Sequence, residues 1–238
     1  MPAALVTGAA SGIGQAVSER LRADGYDVLG VDLRDADHIA DLTTREGNAG
    51  AVSAAVDTFG GLDVVVANAG IQHVAPVAEF PEDRWDAIVA LLMTSPFLLA
   101  KHAWPSLAAS RAGRFIAVAS VHALVASPYK AAYVAAKHGV LGLVKTLALE
   151  GAEAGIAATA VCPGYVRTPL VEGQLPAHAE RLGISPEQAL EEVILAPHAV
   201  KRLIEPSEVA DVIAFLAGPG GATFTGVPVT MDMGWSAR

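Results

Sequence analysis

Apolar positions along the chain alternate between two patterns. Short apolar runs lie at 3–6, 27–31, 62–67, 114–119, 157–161 and 228–231. Several lack polar alternation, as strands covered on both faces do. Between them, apolar residues recur at helical spacing over 13–23, 45–58, 83–109, 130–150 and 207–216. This alternation predicts an α/β fold, a doubly wound parallel sheet of about seven strands with helices on both sides. A further strand fits 39–42. Only residues 33–38 separate it from the second strand, whereas a parallel crossover with its helix takes about 10–12 residues. The helix after the second strand is therefore expected to be missing. Residues 164–206 are the least sheet-like and hold Pro169, Pro176, Pro186 and Pro197 around one helical stretch. They are expected to form a lid, at about 164–205, on one domain spanning 1–238. Repeats and linkers are not visible.

Composition narrows the class. At 53% apolar and 17% charged, the 238 residues are not those of a disordered chain. Cys162 is the one cysteine, so no internal disulfide forms, and this suits a reducing compartment. The net charge of −9 argues against nucleic acid as a partner. The most apolar stretch, 87–100, is interrupted by Thr94, Ser95 and Pro96 and is expected to be too short to span a bilayer. Met1 and Pro2 lead directly into a strand pattern, without a charged and apolar leader. A soluble, cytoplasmic protein with no membrane partner is expected.

The first strand runs into Thr7-Gly8-Ala9-Ala10-Ser11-Gly12-Ile13-Gly14 and then a helix. Glycines in such a turn let a pyrophosphate approach the backbone, and the helix N-terminus offers free N–H groups and a positive dipole end. With the alternating pattern, this predicts a single-domain Rossmann fold. Asp32 ends the second strand, 24 residues beyond Gly8. A carboxylate there accepts hydrogen bonds from ribose hydroxyls and repels a 2′-phosphate, which favours NAD over NADP. Arg34 lies close enough to meet a phosphate, which weakens that preference slightly and leaves NAD as the expected cofactor.

The sequence Tyr133-Val-Ala-Ala-Lys137 places a phenol and an ammonium on one helix face. A neighbouring ammonium favours the phenolate and is expected to lower the tyrosine toward working pH. Ser120, 13 residues upstream, ends the strand at 114–119, at the carboxyl edge of the sheet where ligands bind in open α/β folds. No set of His, Cys, Asp and Glu has metal-ligand spacing, so no metal is expected.

These residues carry a family resemblance over essentially the whole chain. The turn Gly8–Gly14, Asp32, Asp41-Leu42, Ala67-Asn68-Ala69-Gly70, Ser120, Tyr133, Lys137 and Pro163-Gly164-Tyr165-Val166-Arg167-Thr168 resemble the short-chain dehydrogenases/reductases. The resemblance implies Tyr133 as general acid/base, Ser120 as the group orienting the substrate oxygen, and Lys137 as the residue that holds the nicotinamide ribose and tunes Tyr133. It implies cofactor contacts from Gly8, Ser11, Gly12, Ile13 and Gly14, and from Asp32. Asp41 and Leu42 would lie at the adenine, with Asn68, Ala69 and Gly70 in the cleft. Tyr133, Lys137, Pro163, Gly164, Val166 and Thr168 would lie at the nicotinamide end.

A narrower similarity is to D-3-hydroxybutyrate dehydrogenases. It rests on Gly70-Ile71-Gln72-His73-Val74-Ala75-Pro76-Val77, Ser120-Val121-His122 and the run from Lys130 to Val140. It implies that Gln72, His122 and Lys130 hold a substrate carboxylate beside Tyr133 and Ser120. A short hydroxy acid needs such cationic or neutral donors; the alternative for Lys130 is a solvated residue at a helix start. Gln174 matches a lid glutamine and Trp235 a C-terminal aromatic. Tyr165 stands where that family usually has Trp, which keeps an aromatic wall and adds a hydroxyl. His73, His102, His138 and His178 lack such convergence and are expected on the surface or in packing.

The family's fourth catalytic position, usually Asn, is Leu92. Its backbone carbonyl is the functional group implied there. Pro96, four residues on, has no N–H to offer that carbonyl, so it is expected to replace the Asn in exposing it. The alternative is a damaged site. Two further readings stay open: a short-chain dehydrogenase for another small alcohol, sugar or diol, and a nucleotide-binding protein with impaired catalysis. Small residues on the long helices, including Ala131, Ala132, Ala135 and Ala136, allow close helix packing, and the resemblance implies a homotetramer.

Overall fold

A computed structural model describes residues 1–237. The apolar runs form β1 (Ala3–Thr7), β2 (Asp27–Asp32), β4 (Val64–Ala67), β5 (Arg114–Val118), β6 (Ala157–Pro163) and β7 (Pro228–Met231). β1, β4, β5 and β6 are buried along their whole length. With β3 (His38–Ile39) they make one seven-stranded sheet in the order β3-β2-β1-β4-β5-β6-β7, every neighbouring pair parallel. The order reverses at β1, which pairs Leu5 with Leu29 of β2 on one side and with Val65 of β4 on the other. A crevice at such a reversal is where doubly wound sheets bind ligands.

Successive side chains of a strand point to opposite faces, and each face has its own core. Leu5, Val65 and Phe115 pack with Ala51 and Ala55 of α2 (Arg45–Phe59), Leu99 and Leu107 of α4 (Ser95–Ala109), and Val140 and Val144 of α5 (Ala131–Glu150). Ala4, Val6 and Ile116 pack with Val17 and Leu21 of α1 (Gly12–Ala23) and with Val209 and Ile213 of α9 (Pro206–Ala217).

The crossover from β2 to β3 holds no helix, as its length dictates. β3 is two residues long, shorter than the run at 39–42, and pairs His38 with Val31 and Ile39 with Asp32. The chain turns away next, because the Asp41 carboxylate accepts the N–H and hydroxyl of Thr43 at 2.9 and 2.7 Å. In place of a helix, Asp37 pins the crossover: it accepts the Gly30 N–H at 2.8 Å and an Arg22 guanidinium N–H at 2.6 Å. Asn48, fully buried in α2, donates to the Leu42 carbonyl at 2.8 Å and accepts the Ser95 hydroxyl at 2.6 Å. That network ties the turn after β3 to α4.

The long helical run expected at 83–109 passes through Thr94, Ser95 and Pro96, and what differs from expectation is its reach, since it is not too short to span a bilayer. α3 (Glu82–Val89), a π turn (Ala90–Thr94) and α4 continue one another over 28 residues. By length and composition Glu82–Ala109 could cross a bilayer, with a mean hydropathy of 1.4 over its best window. Its apolar residues serve the core instead: Ile88, Leu92, Leu98, Leu99, Ala103 and Leu107 are buried within the fold. Between β6 and α9 lie three short helices, α6 (Pro169–Glu172), α7 (Leu175–Leu182) and α8 (Pro186–Ala189), where the sequence suggested one. Each has a proline in its first turn, where no intrahelical N–H is needed. Val171, Ile194, Leu195 and Leu203 give this segment an apolar cluster of its own.

Candidate active site

The turn after β1 is built by packing. Gly8 and Gly12 take positive φ of 68° and 54°. A Cβ on Gly14 would collide with the Gly8 carbonyl and stand 2.6 Å from the Asn68 amide nitrogen. Asn68 donates to the Thr7 carbonyl at 2.9 Å, and the Thr7 hydroxyl accepts the N–H groups of Asn68 and Ala69 at 2.9 and 3.1 Å. β1, β4 and the turn are thereby locked together. Ser11 caps α1 without a side-chain hydrogen bond, which leaves the first-turn N–H groups to an anion.

Above this turn opens a cleft of about 480 Å³. One end is lined by Asp32, Asp41 and Leu42, the other by Ser120, Tyr133 and Lys137. The cofactor residues read from the sequence all line it except Gly14, whose part is to let the Gly8 carbonyl approach. Asp32 accepts the N–H groups of Ala10 at 3.1 Å and Leu33 at 2.7 Å, which fixes the carboxylate at the cleft. The volume, the glycine turn and this carboxylate fit a dinucleotide. Sequence reasoning missed Leu33, Ala40, Leu91 and Val171 among the lining residues, since apolar lining carries no motif.

At the chemical end, the Lys137 ammonium donates to the Val118 carbonyl at 2.7 Å and lies 5.6 Å from the Tyr133 ring centre. Burial lowers Lys137 to about 8. Burial also raises the Tyr133 phenol above its usual value, opposed by a hydrogen bond with Ser120. This corrects the expectation of a phenol lowered by its lysine: desolvation is the larger effect here. Cys162 lies against the same group, and burial pushes its thiol up to about 11.

Part of the substrate set meets beside Tyr133: Ser120 lines the main cleft with it, and His122, Trp235, Tyr165 and Lys130 form a chain of contacts that starts at its ring. Lys130 is 4% exposed, not solvated, and its ammonium donates to the Tyr165 hydroxyl at 3.0 Å. Burial lowers it to about 8. His122 packs edge-on to Tyr133 at 5.8 Å, and its ring nitrogens meet Ser127 Oγ at 2.9 Å and Ser120 Oγ at 3.4 Å. Burial, aided by Lys130, lowers His122 to about 3, so it is neutral at pH 7. Trp235 stands edge-on to His122 at 5.2 Å and stacks on Tyr165 at 5.5 Å. Gln72 donates to the Gln174 side-chain oxygen at 3.3 Å.

One residue with no sequence signal completes this end. His198 is fully buried; its Nδ1–H donates to the Arg202 carbonyl at 3.0 Å, which leaves Nε2 to accept the Tyr165 N–H at 3.4 Å. His102 and His138 are exposed, His73 is edge-on to Phe80, and His178 is buried.

Leu92 lies at the π turn. Its side chain is buried with Ile88, Ala132 and Ala136 against Tyr133. The Ser95 N–H reaches back five residues to the Ala90 carbonyl, and Pro96 has no N–H to send to Leu92. Leu91, not Leu92, lines the cleft with its side chain.

Fold and site together define an oxidoreductase of Rossmann type. A family model described as enoyl-(acyl carrier protein) reductase matches residues 8–236. The chain is 41% identical to a D-beta-hydroxybutyrate dehydrogenase of Rhizobium meliloti (strain 1021), over 99% of this chain and 98% of that protein. It is 40% identical to a protein of the same name from Cupriavidus necator, again over 99% and 98%. Among solved structures, a variant of actinorhodin polyketide ketoreductase with NADPH superposes with a TM-score of 0.93 at 30% identity, covering all of this chain and 98% of that one. This chain belongs to the short-chain dehydrogenase/reductase family, whose members bind nicotinamide dinucleotides.

Proposed function

We propose that this protein is an NAD-dependent dehydrogenase that interconverts a small 3-hydroxy acid, D-3-hydroxybutyrate or a close analogue, and its 3-keto acid. The observation that carries this reading is the buried ammonium of Lys130, placed with neutral His122 beside Tyr133 and Ser120. A buried cation is costly without an anion, and a carboxylate close to the reacting hydroxyl meets that need. The names of the two relatives above support the same substrate class.

Gly8, Ser11, Gly12 and Ile13 would hold the pyrophosphate, and Asp32 the adenosine ribose. Asp41 and Leu42 would lie at the adenine, Asn68 and Gly70 along the cleft, and Lys137, Val166 and Thr168 at the nicotinamide. Asp32 supports NAD over NADP, since a 2′-phosphate beside a fixed carboxylate is repelled. When bound, the dinucleotide supplies the hydride acceptor for oxidation and the donor for reduction. Ser120 Oγ orients the substrate oxygen. Tyr133 Oη, as phenolate, takes the hydroxyl proton in oxidation and, as phenol, gives a proton back in reduction; Lys137 stabilises the phenolate form. Lys130 and Gln72 hold the carboxylate, with His122 as a neutral partner. Gln174 closes the site as part of a lid formed by 164–205. The Leu92 carbonyl, freed by Pro96, serves in place of the usual Asn.

A dehydrogenase for another small alcohol, sugar or diol, built on the same Ser120, Tyr133 and Lys137, is the second reading. Turnover of hydroxy acids and uncharged alcohols with NAD and NADP decides between them: an enzyme unaffected on carboxylates by Lys130→Ala belongs to the second. A cytoplasmic homotetramer joined through the long helices completes the proposal.

A further inference from the structure

The structure assigns to Tyr165 a specificity-determining role: its hydroxyl and the Lys130 ammonium form a two-point clamp for the substrate carboxylate. This rests on the hydroxy-acid reading above and says how the anion is told from a neutral group of the same shape. An ammonium only donates, so the 3.0 Å contact makes the Tyr165 oxygen the acceptor. The phenol's own proton is thereby left for a second acceptor. Burial pushes this phenol up to about 12, so it stays protonated at neutral pH.

The side chain is held for the task from three sides. Trp235 stacks on its ring at 5.5 Å with the planes 21° apart. Lys130 fixes its oxygen, and His198 accepts its backbone N–H at 3.4 Å. His198 is buried and tethered to the Arg202 carbonyl, so the wall behind Tyr165 is itself anchored. A carboxylate arriving at Lys130 offers two oxygens. One accepts a hydrogen bond from the ammonium and the other a hydrogen bond from the Tyr165 O–H, and no proton is transferred. A neutral amide has one acceptor oxygen and presents an N–H₂ where the clamp also donates.

The test uses the 238-residue chain with NAD and two unreactive probes, butyrate and butyramide, whose dissociation constants are measured by calorimetry. In the wild type butyrate binds better than butyramide. Tyr165→Phe keeps the ring stack and is expected to cut that preference about tenfold, the weight of a hydrogen bond to a charged group. Lys130→Met abolishes the preference. A general loosening of the pocket weakens both probes alike and leaves the ratio where it was. An unchanged ratio in Tyr165→Phe, with the Lys130→Met loss intact, overturns the clamp and leaves the hydroxy-acid reading standing. A wild type that binds neither probe, or both equally, overturns both.

Discussion

Lys130 and Lys137 are seven residues apart, and burial lowers both to about 8, yet they meet different partners. Lys137 donates a hydrogen bond to the Val118 carbonyl, while Lys130 donates one to the Tyr165 hydroxyl. A lysine so lowered loses its charge as pH rises through about 8. The Lys130 ammonium is therefore present at neutral pH and fades above it, and KM for an anionic substrate should climb on the alkaline side. Lys130→Met should raise that KM about 10- to 100-fold at pH 7 and flatten the alkaline rise; initial rates across pH check both. Tyr133→Phe should cut kcat by about 100- to 10,000-fold, the range for a lost general acid/base, with NAD affinity retained in a binding titration. The Tyr133–Lys137 pair was legible in the sequence because one helix carries both at i and i+4. The upward shift of Tyr133 was not, because it follows from burial by other segments. His198 was illegible for the same reason: Tyr165 and Arg202 become its partners only after the chain folds.

Among the elements, the crossover after β2 was readable by counting, since too few residues separate β2 and β3 for a helix. What replaces that helix was not readable. Asp37 holds the Gly30 N–H and Arg22, a pairing with no local spacing rule behind it. Asp37→Ala should cost about 1 kcal/mol of stability through the lost hydrogen bonds and weaken NAD binding at the Asp32 end, measured by thermal melting and cofactor titration. The π turn is the other departure. Pro96 cannot donate to the Leu92 carbonyl, and the helix runs on through a π turn there, with the Ser95 N–H bonded to the Ala90 carbonyl. Pro96→Ala restores an N–H at that place. It should raise the melting temperature and lower kcat about tenfold if the Leu92 carbonyl serves the reaction; a stabilised variant with full kcat would remove Leu92 from the mechanism. The three prolines that begin α6, α7 and α8 resemble breakers in sequence. They act as helix starts because the segment supplies its own apolar cluster.

For the whole molecule, the net charge of −9 would oppose the proposed anionic substrate, whose attraction would have to be local. The buried Lys130 ammonium would provide it, since a charge held out of solvent is screened far less than surface charges are. In the proposed homotetramer, packing through the long helical run and α5 would cover exposed Met93, Phe97 and Leu149. Light scattering of the purified protein should therefore return a tetramer rather than a 24.4 kDa monomer. The parallel sheet and its two-sided core were legible from strand–helix alternation, whereas the meeting of Lys130, Tyr165, His122 and Trp235 depends on segments that sequence periodicity does not join. The central claim is chemical, and one measurement addresses it most directly: kcat/KM for D-3-hydroxybutyrate against that for its amide, each with NAD, followed by NADH absorbance. The acid should be preferred about 100-fold or more, with the preference lost in Lys130→Met. Equal use of acid and amide, or no NADH from the acid, would contradict the account.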